Sequence, residues 1–223
     1  MSGRSERMRR LEERDRLVDQ LASAQQWDKE LEMADYFVVD IETSGFNPVS
    51  DLVLSLAAAT MSGPDLKMEM AHYDLVRQED VSHVPEQIWL LTGLSAQRLE
   101  HGGEWREILL KALSTSANRV WVAHHARHEL SFFQRHARQF WKMKLRPLVI
   151  DTSVVAQCLF RLSSPPTLED VCERLLIPVS ARHQADEDVA MTSEVWLREM
   201  TLCRKLGLST VGEVILWATA DTG

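Results

Sequence analysis

No apolar run in this sequence approaches the roughly 20 residues that a membrane-spanning helix requires, so the chain is expected to have no membrane segment. The arginine-rich start is not followed by an apolar core, so a secretory signal is not expected either. Cysteine is scarce. Cys158, Cys172 and Cys203 are odd in number and far apart, which fits neither a disulfide framework nor a zinc knuckle and leaves reduced thiols in a cytoplasmic protein. An excess of positive charge is missing as well. With 25 Lys and Arg against 33 Asp and Glu, the net charge of −8 argues against a chain held on nucleic acid by overall charge. It does not exclude an enzyme that grips nucleic acid locally through metal ions.

What is present is an ordinary globular composition, 45% hydrophobic and 26% charged over 223 residues, enough for one α/β domain with extensions. Residues 5–33 read as a helix, with Leu11, Leu17, Val18, Leu21 and Leu31 at helical spacing and neither Pro nor Gly. The first 16 residues of the chain carry six arginines against four acids, as expected for a solvated helix on the domain edge. The register changes at residue 36. Residues 36–41, 52–61 and 67–73 read as three strands of an antiparallel meander, separated by turn signals. Helical material over 84–115 is broken at Gly93 and at Gly102-Gly103. A strand at 120–123, a helix at 128–141, a strand at 148–150 and a helix from 152 to 162 follow. Thr167 and Asp170 form a capping-box pair, a long helix covers 186–204, and 209–219 is one more helix. Strands first and βα units afterwards predict an α/β fold: a mixed five-stranded sheet flanked by helices. The expected division is an N-terminal helical extension over 1–34, a main domain over 35–205 and a helical tail over 206–223.

Three clusters carry chemistry. Asp40 and Glu42 stand where the first strand ends, and residues i and i+2 of a strand share a face. Two converging carboxylates are costly unless a cation neutralises them, and oxygen ligands suit Mg²⁺ or Mn²⁺. The second cluster, His124-His125-Ala126-Arg127-His128-Glu129, follows the fourth strand. His124 and His128 are spaced i, i+4, which suits zinc, but the His-Glu-x-x-His pattern of zinc peptidases is absent. The third is His183 in the loop before the long helix, with Asp188 in its first turn beside Thr192 and Val195. A histidine next to a metal site serves as a general base near neutral pH. Trp121, Trp141 and Trp196 fall in apolar-periodic settings and are expected in the core.

Together these clusters resemble the histidine subclass (DEDDh) of the DEDD 3'–5' exonucleases. Residues 37–48 resemble the first motif, residues 122–129 the second, and His183 with Asp188 the third. Leu91-Thr92-Gly93-Leu94 and Ile150-Asp151-Thr152 resemble further segments of the family, so the likeness covers about residues 35–200 in order. It implies a ribonuclease H-like fold and hydrolysis with two Mg²⁺ or Mn²⁺ ions. Asp40, Glu42 and Asp188 would hold the ion that carries the attacking water, Asp40 would bridge to the second ion, and His183 would take the proton. Thr43, Ser44 and Phe46 would cradle the 3'-terminal nucleotide, with Phe46 stacking on its base. Single-stranded 3' ends would be the substrate, and a polymerase or a replication or repair protein the partner.

The second motif departs from the family's His-Asn-x-x-Phe-Asp. His125 replaces Asn, His128 replaces Phe, and Glu129 replaces the catalytic Asp, lengthening that arm by one methylene. An error near 1 Å costs on the order of 100-fold in rate. A working, a slow and a retired enzyme all stay open, and so does a weakly catalytic module that binds nucleic acid or a polymerase partner. Six Lys or Arg against one acid over 127–146 fit phosphate tracking and an ordinary solvated face alike. Neither DNA nor RNA is singled out, although DNA fits a proofreading or repair role.

Overall fold

In the computed structural model, residues 3–22, 26–63, 65–179 and 184–220 are described. The central strand β1 (Tyr36–Thr43) explains the architecture. Its run is apolar almost throughout because both faces are covered: Phe37, Val39 and Ile41 enter one core cluster, Tyr36 and Val38 the opposite one. β2 (Val53–Ser62) and β3 (Lys67–Leu75) complete the antiparallel meander, while β4 (Val120–Ala123) and β5 (Val149–Asp151) add in parallel. The sheet order is β3-β2-β1-β4-β5. This is the expected mixed five-stranded sheet.

The parallel pairing of β1 with β4 and of β4 with β5 brings three C-terminal strand ends to one edge. Ligand sites of α/β sheets form at such edges. On one face lie α1 (Gly3–Ala22), α4 (Trp105–Thr115) and α5 (Arg127–Trp141), through Leu17, Leu109, Leu113, Phe132 and Phe133. On the other lie α6 (Thr152–Phe160), α8 (Ala185–Lys205) and α9 (Val211–Ala220), through Val155, Val189, Trp196 and Val214. Small residues Ala57 and Ala59 of β2 line this second face and leave room for α8. α2 (Glu86–Thr92) and α3 (Ala96–Glu100) cover a satellite cluster around Leu54, Val84, Leu94 and Leu99. α7 (Leu168–Arg174) starts at the Thr167–Asp170 capping box, which forms as expected. Trp121, Trp141 and Trp196 are buried, as their settings implied.

One expectation needs correcting. The N-terminal helix does not run to residue 33; it ends at Ala22, and Leu31–Met33 form only a 3-10 turn. Tertiary pairing overrides helical periodicity here. Lys29 and Trp27 offer their carbonyls to Val211 and Gly212, Leu31 donates to the Ser209 carbonyl, and the Gln26 side chain donates to the Asn118 carbonyl. Gly212 is required at this crossing, since a Cβ there would meet the Trp27 indole at 2.5 Å. Where α1 does pack, Glu13 bonds both Arg106 and the Trp141 indole N–H, locking the helix onto α4 and α5.

Candidate metal centre

Tyr36, Val38, Asp40 and Glu42 share one face of β1, and α8 covers it. Tyr36 meets Trp196 edge-on at 5.6 Å at the start of the strand, and Asp40 and Glu42 meet Asp188 at its end, so α8 runs antiparallel to β1. One oxygen from each of Asp40, Glu42 and Asp188 lies within 4.8 Å of the others. Asp188 is only 5% exposed. The regular pairing of β1 with β2 shifts between Glu42 and Thr43, where Leu54 of β2 is skipped. Three carboxylates this close repel by about 3–4 kcal/mol per pair at an effective dielectric near 20. A divalent cation with hard oxygen ligands removes that cost, so the residues present fit Mg²⁺ or Mn²⁺.

Glu129 lies in the first turn of α5, 3% exposed, and its Oε2 has no hydrogen-bond partner among the described residues. Burial pushes its pKa well up; its own backbone N–H pulls the other way less strongly, and the carboxylates of Asp151 and Glu42 add still smaller rises. The site therefore holds a buried acid whose ionisation awaits positive charge. It stands outside the tight group of Asp40, Glu42 and Asp188.

The flank toward β2 carries Thr43, Ser44 and Phe46, with His128 of α5 against them, whereas His125 lies on the flank toward β5, its N–H bound to Asp151. The Thr43 hydroxyl donates to the Gly45 carbonyl at 2.7 Å and lies 3.2 Å from His128 Nε2. Its proton being used, Thr43 accepts, and His128 carries its proton on Nε2. Burial lowers the His128 pKa. Ser44 Oγ accepts from the Leu52 N–H at 2.8 Å, closing the loop that Asp51 braces. Phe46 projects from that loop 89% exposed, its ring 5.6 Å from His128 and near perpendicular to it. His125 sits at φ 59°, and its side chain is exposed.

His124 and His128 do not form a zinc pair. His124 Nε2 lies 3.0 Å from the Pro166 carbonyl and Nδ1 2.9 Å from the Thr152 hydroxyl, while His128 turns to Thr43. Both rings brace loops. His183 lies outside the described residues. Sequence reasoning gave Asp151 no role, yet its Oδ1 accepts from the His125 N–H at 3.0 Å, the Ser153 N–H at 3.0 Å and the Ser153 hydroxyl at 2.7 Å. It pins the turn before α5 to the start of α6. The signal available was a carboxylate at a strand end followed by Thr-Ser, an N-cap pattern.

The exonuclease family profile (RNase T type) matches residues 37–196. The PolC-type DNA polymerase III of Thermotoga petrophila is 25% identical over 189 residues, which is 84% of this chain but 13% of that protein. The chain thus spans about an eighth of the polymerase relatives it matches. DNA polymerase III subunit epsilon of Aquifex aeolicus is 24% identical over 163 residues, 73% of this chain and 79% of that one. Among solved structures, E. coli Exonuclease I in complex with a dT13 oligonucleotide superposes with a TM-score of 0.64 at 18% identity, over 78% of this chain and 43% of the other. The nuclease domain of 3'hExo, a DEDDh family member bound to rAMP, gives 0.64 at 14% identity over 82% and 97%. These likenesses establish the ribonuclease H-like fold.

Proposed function

The chain belongs to the RNase T-type exonuclease family, and from that membership and the site we propose that it is a metal-dependent 3'–5' exonuclease acting on single-stranded nucleic acid, DNA before RNA. The observation that carries the reading is the convergence of Asp40, Glu42 and Asp188, with the buried Glu129 near Glu42 and its Oε2 without a hydrogen-bond partner among the described residues. Asp40, Glu42 and Asp188 would hold one divalent ion, and Asp40 with Glu129 would serve a second; bound there, such ions would supply charge neutralisation at the scissile phosphate and lower the pKa of an attacking water. His183 accepts the proton. Thr43, Ser44, Phe46, His125 and His128 position the 3'-terminal nucleotide, with Phe46 offered to its base. Residues 35–205 are proposed as the exonuclease domain, with 1–34 and 206–223 as extensions that carry α1 and α9. Among the described residues no helix is long and apolar enough to cross a membrane. Cytoplasmic replication or repair, beside a polymerase partner, is the setting that fits the polymerase III relatives.

Glu129 in place of Asp favours a second reading, a catalytically weak module that binds strands or a polymerase. End-labelled single-stranded DNA and RNA, incubated with Mg²⁺, Mn²⁺ or chelator, separate the two. Stepwise shortening from the 3' end that chelator stops is the expected result. Intact label with both ions leaves only the binding module.

A further inference from the structure

On the far side of α5 from Phe46, a groove of about 620 Å³ opens between α5 and residues 145–149. Its floor is apolar: Ala126, Leu130, Leu145, Pro147 and Val149. Its wall is built rather than incidental. Gln134 holds it at both ends of its amide, donating to the Met143 carbonyl at 3.2 Å and accepting the Leu145 N–H at 3.0 Å. Arg127 and Arg146 line the same groove, both exposed, and neither makes an ion pair or side-chain hydrogen bond with any described residue. Asp151 closes the end nearest the carboxylate cluster, with its Oδ1 already taken by three donors. Two uncommitted guanidinium groups over an apolar floor match a strand that offers phosphates at intervals and base faces between them.

The sheet order gives this groove a direction. Thr43, Ser44 and Phe46 lie on the β2 side of the Asp40–Glu42–Asp188 cluster, whereas Asp151 and the groove lie on the β5 side. A strand whose terminal nucleotide occupies the first side must leave across the second. We propose that this groove binds the upstream, 5'-ward nucleotides of the strand whose 3' end lies at the carboxylate cluster, with Arg127 and Arg146 as its phosphate contacts. The proposal rests on the exonuclease reading for the polarity of the strand. An acidic peptide, the other polyanion that two arginines would suit, is an outcome of the test.

The test measures binding of a fluorescein-labelled 12-nucleotide thymidylate and of a two-nucleotide thymidylate, with Ca²⁺ replacing Mg²⁺, across a salt series. In the double variant R127A/R146A the 12-mer should bind about tenfold more weakly, and its log–log salt slope should fall by roughly 1.4, about 0.7 per lost contact on a single strand. The loss on the two-nucleotide strand should be several-fold smaller. R127K/R146K keeps the charges and should restore most of the slope. Equal losses on both strands, or an unchanged 12-mer slope, overturn the groove; so does a labelled acidic peptide that outcompetes the 12-mer. Nucleotide release with Mg²⁺ or Mn²⁺ is read separately. Groove-dependent binding without release sinks the exonuclease reading and keeps the groove, and release with an unchanged slope does the reverse.

Discussion

His128 Nε2 donates to Thr43 Oγ1 across 3.2 Å, tying the first turn of α5 to the end of β1. The pair spans the two sequence motifs that supply the site, and it exists only while the imidazole keeps its proton on Nε2. Burial lowers the His128 pKa, so the folded protein holds this ring neutral at a pH where the unfolded chain has begun to protonate it. Protonation adds a proton at Nδ1 and leaves the Nε2–H donor in place, so it is the stability of burying a neutral ring that is present above the unfolded value of about 6.5 and is lost as pH falls through the lower folded value.

His128→Phe replaces the ring with the aromatic of the family pattern and removes that titration. The thermal midpoint of the wild type should fall more steeply than that of the variant between about pH 6.5 and 5. Matching slopes in a calorimetric pH series would reject the buried neutral histidine.

Asp188→Asn should cut nucleotide release by at least about 100-fold, since a buried ligand to the ion is neutralised. Without metal the same change should raise the melting temperature, because the carboxylates of Asp40 and Glu42 lose a repelling neighbour. Mn²⁺ should stabilise the wild type through linkage and the variant far less. A variant that melts lower without metal and gains as much from Mn²⁺ as the wild type contradicts the metal centre.

Glu129→Gln keeps the shape of a side chain whose pKa burial raises. In chelator its stability should match or exceed the wild type, while turnover with either ion should drop about 10–100-fold, because a neutral amide is a poor ligand for a hard cation. Glu129→Asp distinguishes a site that tolerates the longer arm from one rebuilt around it: turnover rises in the first case and falls in the second. Wild-type activity surviving in Glu129→Gln would remove Glu129 from the machinery.

Glu199 is fully buried on α8, and neither carboxyl oxygen has a hydrogen-bond partner among the described residues. Burial, then the Asp151 carboxylate, pushes its pKa well up. The folded protein thus keeps a proton that the unfolded chain releases above about pH 4.5, and stability falls as pH rises. Glu199→Met should raise the melting temperature by about 2–4 °C at pH 7, and the gain should shrink toward pH 5. A lower midpoint for Glu199→Met at pH 7 would mean that the carboxyl has a partner, such as an internal water.

A short continuous apolar, β-rich run was enough to place β1, and turn signals built on Gly, Pro, Asn and Ser placed the breaks after it. Local chemistry also revealed Asp40 and Glu42 on one face and the Thr167–Asp170 cap, because each depends on residues a few positions apart. Residues 26–33 were misread as helix because their hydrogen bonds go to Asn118 and to residues 209–212, beyond the reach of a periodicity argument. The roles of His124 and Asp151 were hidden for the same reason: the partners that occupy His124 are Thr152 and Pro166, and Asp151 reaches back to His125. The sequence by itself determined the strand pattern, the residue types of the site and their order along the chain. Only the tertiary structure decided that Asp188 comes within 4.8 Å of Asp40 and Glu42, that Glu129 is buried with no partner for Oε2 among the described residues, and that Arg127 and Arg146 line one groove. Proximity between residues far apart in sequence arises from packing α5 and α8 on opposite faces of a single sheet edge, and spacing along the chain does not encode it.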